Sequence, residues 1–79
     1  MTVALSTLSP GQSATVCGFT ATADLSERLM QMGVIEGVDV EIIRYAPAGD
    51  PVEIRVMGYA LSLRGTDASQ ILVDNVTTP

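Results

Sequence analysis

The side chains that most often carry chemistry in proteins are sparse in this 79-residue sequence. It contains no histidine and one cysteine. Without histidine the chain lacks the commonest metal ligand and the usual acid or base that titrates near neutral pH. No histidine can activate Cys17 as a nucleophile, so we interpret this thiol as a small, half-buried strand residue. The residue types therefore predict a protein that has no catalytic residues and is not an enzyme.

The carboxylates are numerous but poorly spaced for metal binding. Asp24 and Glu27 would share one edge of a helix, yet two carboxylates without His or Cys are a poor site for ferrous iron. The same pair fits a capping box at a helix start, and Asp50, between a glycine and a proline, is typical of a turn. Gly33-x-x-x-Gly37 lacks the Lys-Ser/Thr that completes a phosphate-binding P-loop. We predict no metal site and no cofactor.

Charge and hydropathy exclude two classes of partner. The formal net charge is −5 and the four arginines are scattered, whereas nucleic-acid affinity depends mainly on clustered basic contacts to phosphates. The same charge opposes adsorption to an anionic membrane surface. No apolar run approaches the roughly 20 residues of a membrane-spanning helix, the N-terminal segment is unlike a secretory signal, and the single thiol is typical of the cytoplasm. We predict a cytoplasmic protein that binds no nucleic acid and does not insert into the membrane.

The length predicts a single domain over residues 1–79, because no linker or low-complexity stretch divides the chain. Apolar residues make up 47% of the sequence, which is enough for a core. Alternation of apolar and polar residues predicts five strands. They are residues 13–19, 38–45, 52–57, 59–64 and 71–76. Bulges are expected at Gly18 and at Ile42–Ile43, where the alternation slips.

The hairpin formed by the second and third predicted strands has a predictable register. Residues 46–51 contain two prolines and a glycine, which is typical of a loop. Cross-strand partners then follow from the alternation. The expected pairs are Tyr45 with Val52, Ile43 with Ile54 and Arg44 with Glu53.

One helix is predicted from Leu25 to Met32, because Leu25, Leu29 and Met32 recur at helical spacing. Asp24 is expected as its N-cap. Gly33 stands where a left-handed C′ residue ends a helix, and Gly37 allows a tight turn into the next strand. In the 65–70 segment, Thr66 is the expected cap of a single helical turn.

The order of elements is strand, helix, hairpin, short strand, helical turn and strand. So many short strands in so small a chain are best satisfied by a sheet that curls on itself, which leaves few unpaired edges. The fold class predicted is mainly β with one helix: a small SH3-like, partly open barrel, with the helix inserted between the first and second predicted strands.

The landmarks, taken in order from Leu5 to Val73, resemble the FeoA family of small accessory proteins of bacterial ferrous iron transport. They are Arg28-Leu29, Met32-Gly33, Gly37, Ala46-Pro47, Gly49-Asp50-Pro51, Gly58, Leu61, Leu63-Arg64, Asp67-Ala68 and Ile71. The resemblance implies an SH3-like fold, a cytosolic location that extends to the inner membrane through a partner, and work alongside FeoB, the iron permease with a cytosolic GTP-binding domain. It implies an interaction or regulatory role without catalysis.

Two other functions remain open at this point. One is a soluble metal-sensing or metal-delivering protein. The other is a regulatory module, since a related SH3-like domain forms the C-terminal part of some iron-dependent repressors. The chain has its own Met1 and no helix-turn-helix pattern, which favours the freestanding accessory protein.

The helix, its glycine exit and one strand end are the predicted surface for the partner. The residues are Arg28, Leu29, Met30, Met32, Gly33 and Arg64. Met30 points away from the apolar helix face, where it is either a soft anchor for a partner or an ordinary exposed side chain. Arg28 could pair with a partner carboxylate or with Asp24, and Arg64 could contact a partner or remain solvated. Strand edges and Met30 could also support self-association.

The three aromatic residues do not indicate a groove for proline-rich peptides, which needs several aromatics on one surface. Phe19, Tyr45 and Tyr59 are far apart in the sequence. Scattered aromatics more often build or rim the core. An SH3-like shape in this chain therefore does not predict proline-motif binding.

Overall fold

The computed structural model describes residues 1–79, which form a six-stranded antiparallel sheet with the strand order β1-β6-β2-β3-β4-β5. The elements are β1 Val3–Ala4, a 3-10 turn Leu5–Thr7, β2 Ser13–Phe19, α1 Ala23–Gln31, β3 Asp39–Tyr45, β4 Val52–Val56, β5 Tyr59–Leu63, α2 Gly65–Ala68 and β6 Ile71–Thr77. The sheet does not close, because β1 and β5 end the strand order without pairing with each other. The prediction of a mainly β, partly open fold with one longer helix is confirmed.

All five predicted strands are present, with bounds shifted by at most two residues. The sequence did not predict β1, because two residues are too short to show an alternation. The turn after β1 places Leu5 in the core with no exposed surface. Helix α1 therefore follows the second strand of the structure, which is the first strand that the sequence predicted.

Helix α1 begins two residues earlier than expected, at Ala23, so Asp24 is not its N-cap. Thr22 takes that role: its backbone is extended and its side-chain oxygen accepts a hydrogen bond from the Leu25 N–H at 3.4 Å. Threonine is a common N-cap, and Asp24 instead lies in the first turn, where its negative charge still favours the positive end of the helix dipole.

The C-terminal end of α1 confirms the role predicted for Gly33. This residue has φ +97°, and its N–H donates to the Met30 carbonyl oxygen at 3.0 Å. The Val34 N–H donates to the Leu29 carbonyl oxygen, also at 3.0 Å. These two bonds form a Schellman motif, which also brings the buried side chains of Leu29 and Val34 together.

The β3–β4 hairpin confirms the predicted bulge and corrects one pair beside it. Tyr45 pairs with Val52 and Arg44 with Glu53, as expected. Ile54, however, pairs with Ile42 and not with Ile43, because the register shifts between Ile42 and Arg44 and leaves Ile43 as the extra residue. The bulge therefore keeps Ile42 fully buried, although the alternation of the sequence changes there.

The short helix α2 lacks the threonine cap that the sequence predicted. Thr66 lies inside α2, and Arg64 at the N-cap position makes no side-chain capping bond. The N–H of Gly65 is satisfied from elsewhere: it donates to Asp50 Oδ1 in the β3–β4 loop at 2.8 Å. Asp50 therefore does more than shape its own turn, because it ties that loop to the start of α2.

The core consists of 15 buried side chains, all of them apolar. They come mostly from the inward faces of the strands, where Val52, Ile54 and Val56 keep the predicted alternation in β4. Helix α1 contributes one buried residue, Leu29. The helix is therefore fixed to the sheet chiefly through this leucine and through the Schellman turn that follows it.

Candidate docking surface

The six predicted contact residues do not all reach the surface. Leu29 is 0% exposed and belongs to the core, so it supports a surface without being part of one. Its neighbour Met30 is 45% exposed, because the next position of a helix faces a different direction. Arg28 and Arg64 are exposed, and Met32 is half-buried.

Three of the six predicted residues line one groove between α1 and the end of β5. Arg28 and Met32 come from the helix side and Arg64 from the end of the strand. The groove has a volume of about 350 Å³. Its remaining lining residues are Ser62, Leu63 and Asp67. The structure thus brings together two arginines that are 36 positions apart in the sequence.

The arginines of this groove differ from the other two arginines of the chain. Arg44 forms an ion pair with Glu53 at 2.9 Å, and Arg55 approaches Glu41 at 3.9 Å. Arg28 and Arg64 have no ion pair within the chain. The alternative in which Arg28 pairs with Asp24 is therefore not adopted. Both guanidinium groups remain free to bind an external anion.

The exit of α1 lies against the β4–β5 hairpin. A methyl group at Gly33 would lie 3.0 Å from Tyr59 Oη and 3.4 Å from Met57 Cγ. Glycine therefore serves two purposes here: it adopts a positive φ and it leaves room for these two side chains. Met57 is 64% exposed and Tyr59 is 42% exposed. These two side chains form an apolar area at the end of the helix. Met30 lies two positions from both Arg28 and Met32, so it projects from the opposite side of α1.

We call this combined surface the α1–β5 face. It consists of Arg28, Met32, Gly33, Met57, Tyr59 and Arg64. The sequence alone did not predict Met57 in this face, and it predicted Tyr59 in the core or at its rim. The available signal was the dipeptide Met57-Gly58 between two predicted strands, since a large apolar residue is unusual in a two-residue hairpin turn.

The β4–β5 turn holds Met57 in a costly backbone conformation. Val56 pairs with Tyr59, so Met57 and Gly58 are the two central turn residues, and their φ angles are +54° and +83°. Such a type I′ turn favours Asn-Gly or Gly-Gly. A residue with a large side chain in the left-handed region costs about 1–2 kcal/mol. The chain carries this cost while leaving the methionine side chain exposed, so folding alone does not explain the residue.

The other two aromatic side chains have structural roles. Tyr45 Oη donates a hydrogen bond to the Leu8 carbonyl oxygen at 2.6 Å and lies 3.3 Å from that of Ser6. Burial raises the pKa of the Tyr45 phenol above its ordinary value. Phe19 packs against the core. Only Tyr59 is available to a partner.

A second depression, of about 490 Å³, is lined by residues of β3, β4 and the β4–β5 turn, Met57 among them. Its charged residues are Asp39, Glu41 and Arg55. Each of them already has a partner, because Asp39 accepts a hydrogen bond from Thr15 and Arg55 approaches Glu41. Its charged groups are therefore already paired within the chain, whereas the arginines of the groove between α1 and β5 are not. This makes the depression a weaker candidate for binding a ligand, although its volume is larger than that of the groove.

Two further findings concern metals and membranes. No group of three or more Cys, Asp or Glu side chains is arranged to hold a metal ion. No helix has the length and apolar character needed to cross a bilayer.

Comparison with known proteins identifies close counterparts of this chain. The sequence profile of the FeoA domain matches residues 3–75. A relative from Porphyromonas gingivalis, named as a fusion of Fe(2+) transport protein A with the Fe(2+) transporter FeoB, is 32% identical over 74 residues. The match covers 94% of this chain and 9% of that relative, so the chain corresponds to a small part of the fusion protein.

Two solved structures share the fold. A FeoA-like protein from Clostridium acetobutylicum is 33% identical, with a TM-score of 0.86 over 92% of this chain and 85% of that one. FeoA of Stenotrophomonas maltophilia, described as a prokaryotic SH3 domain protein and solved with zinc, is 26% identical, with a TM-score of 0.82 and 96% of each chain covered. The prediction of an SH3-like fold is confirmed by this likeness.

Proposed function

Because the chain belongs to the FeoA family, we propose that it is a non-enzymatic accessory protein of ferrous iron uptake that docks on the cytosolic part of a FeoB-type permease. The contact regulates or assembles the transporter. The protein works in the cytoplasm and reaches the inner face of the membrane through this partner.

The fused relative supports the choice of partner. In that protein a segment 32% identical to this chain and a FeoB transporter are parts of one polypeptide. Covalent linkage gives two modules a high effective concentration for each other, so two modules that are fused in one organism are good candidates for partners when they are separate chains.

The observation that carries the choice of surface is Met57. Its exposed side chain stands on a strained backbone position, and strain that folding does not require is concentrated at functional sites. Methionine is a flexible, polarisable side chain suited to adaptable contacts. Tyr59 enlarges the same apolar area, and tyrosine is enriched at the centres of interfaces.

A binding assay tests the proposal. Purified protein is titrated with the cytosolic part of a FeoB-type transporter, without nucleotide, with GDP and with a GTP analogue, by biolayer interferometry. We expect binding in at least one state, and we expect Met57→Asp to weaken it at least tenfold because a charge would be desolvated in the contact. Val76→Asp is the matched control, because Val76 is 41% exposed on β6, outside the α1–β5 face.

Circular dichroism of each variant must show that the fold is kept. Absence of wild-type binding in all three nucleotide states would reject the proposal. Equal losses in the Met57 and Val76 variants would reject the surface while keeping the partner. Equilibrium dialysis with ferrous iron separates this function from a metal-delivering one, since a docking protein is expected to show no tight stoichiometric iron site.

A further inference from the structure

The outer edge of β5 is unpaired along its whole length. Strand β5 ends the strand order and pairs only with β4. No other backbone or side-chain group of the chain hydrogen-bonds to residues 59–63 from the open side. Natural edge strands are usually blocked by charges, proline or a bulge. The β5 sequence, Tyr-Ala-Leu-Ser-Leu, has none of these.

The two ends of this edge offer different chemistry. Met57 and the exposed ring of Tyr59 lie at its start, and the groove of Arg28 and Arg64 lies at its end. Five strand residues span roughly 17 Å. A segment of about five or six extended residues could therefore contact the apolar end and the basic end at the same time.

The groove between α1 and the end of β5 is a basic region on the surface of an acidic protein. Arg28, Arg64 and Asp67 give it a net charge of +1, whereas the two other arginines and the eight other carboxylates of the chain sum to −6. Arginine is the side chain best suited to bind carboxylates, because its planar guanidinium group donates two parallel hydrogen bonds. An acidic segment is thus attracted to this end of the strand and repelled by the rest of the molecule.

We propose that the docking partner presents an extended acidic segment that adds to β5 as a seventh strand. This inference rests on the proposed function and names the chemistry of the partner. Backbone groups of the segment pair with the free edge, an apolar side chain packs against Met57 and Tyr59, and a carboxylate at the other end binds Arg28 and Arg64. Backbone pairing supplies affinity and the two ends supply specificity.

A second copy of the chain fits this edge less well. Two β5 strands could pair antiparallel, but residues 57–64 contain no carboxylate. The copy would therefore bring no carboxylate to Arg64 through the pairing, and it would add a second net charge of −5. Charge complementarity favours a different protein.

The experiment uses the full chain and the cytosolic part of a FeoB-type transporter as the probe. The double variant Arg28→Glu/Arg64→Glu is compared with Arg44→Glu/Arg55→Glu, which changes the net charge equally at arginines outside the groove. We expect the first variant to lose at least tenfold in affinity and the second to lose less than threefold. Amide hydrogen exchange by NMR should show β5 amides that exchange at least tenfold more slowly in the complex.

Each outcome decides between the proposals. A selective loss together with slowed β5 exchange supports the added strand. Binding that both variants keep or lose alike, or unchanged β5 exchange in the complex, overturns the added strand and leaves the docking function standing. No binding by the wild-type chain rejects both. A free protein that sediments as a dimer with protected β5 amides also overturns the inference, because a second copy then occupies the edge.

Discussion

Two places in the molecule hold a residue other than glycine at φ +54°, and they differ in the side chain used. Asn75 lies in β6, where the pairing with β2 shifts register. Asparagine tolerates the left-handed region, so Asn75 is the residue that local geometry favours. Met57 occupies the same conformation in the β4–β5 turn, where asparagine would again be favoured. The φ angle is equal at the two positions, so the choice of methionine at position 57 has to come from the contacts of its side chain, beside Gly33 or with a partner.

The comparison distinguishes two halves of the molecule. In the β2–β6 half, the unusual backbone at Asn75 carries a side chain that suits it. The β4–β5 turn departs from this preference beside Gly33, Tyr59 and an unpaired strand edge. Violations of local preference are expected where a surface is selected for binding. The cost at Met57, as well as its exposure, therefore supports the proposal that the α1–β5 face binds a partner.

The largest expected effect is at the glycine that supports this face. Gly33→Ala forces alanine into φ +97° and places a methyl group 3.0 Å from Tyr59 Oη. We expect the free energy of unfolding to fall by about 2 kcal/mol and Tyr59 to be displaced. Gly37→Ala is the matched control, because Gly37 has φ +95° and no atom within 4 Å of an added Cβ.

Urea denaturation of both alanine variants measures the difference, and partner binding is assayed where the fold persists. Equal stability losses would show that the contact with Tyr59 adds nothing to the backbone strain. Weaker partner binding in the Gly33 variant alone would show that this contact positions the α1–β5 face.

The second prediction exchanges the side chains of the compared positions. Met57→Asn relieves the turn and should raise the free energy of unfolding by about 1 kcal/mol, whereas Asn75→Met should lower it by about the same amount. The Met57 variant should nevertheless bind the transporter at least fivefold more weakly, because its apolar anchor is gone. Thermal denaturation and interferometry measure the two effects. A more stable Met57 variant that binds normally would contradict a functional reason for the strained methionine.

The third and smallest effect concerns a residue remote from the α1–β5 face. Tyr45→Phe removes the hydrogen bonds to the segment that precedes β2 and should cost about 1 kcal/mol or less of unfolding free energy near neutral pH. Partner binding should be unchanged. A loss of binding in this folded variant would show that the two halves are not separate.

The stability of the wild-type protein should also depend on pH through Tyr45. Burial raises the folded-state pKa of this phenol above its ordinary value of 10.0, so the folded state holds the proton more tightly than the unfolded state. The stabilisation is complete below a pH of about 10 and is lost as the pH rises through the folded-state pKa. Urea midpoints at about pH 9 and 11 should fall further for wild type than for Tyr45→Phe. Parallel declines would contradict this assignment.

Sequence patterns predicted the elements whose signals are local. The glycine after α1, the bulge at Ile43 and the alternation of β4 each depend on neighbouring residues, and the structure confirms all three. The N-cap prediction was wrong because aspartate and threonine are both good N-caps. Only the backbone conformation, which is extended at Thr22, identifies the residue that takes this position. The strand β1 was missed because pairing with β6, and not its own two residues, defines it.

The candidate surface was predictable only in part. Helical spacing distinguished Met30 from the buried face of α1, and the family motif indicated Arg28 and Arg64. The meeting of the two arginines in one groove required the position of α1 over β5, a long-range arrangement that periodicity does not encode. Leu29 was included through its motif, although its burial follows from the same spacing that exposes Met30.

The hydrogen bond from the Gly65 N–H to Asp50 connects the proposed binding groove to a loop that does not line it, where a probe could be attached. Asp50 belongs to the β3–β4 loop, and Gly65 directly follows Arg64. A backbone shift at Arg64 on binding would strain this bond, and the β3–β4 loop would then respond to occupancy without touching the ligand. A fluorophore attached at the exposed residue Ala48, with Cys17 replaced by serine, would convert that mechanical link into an optical signal.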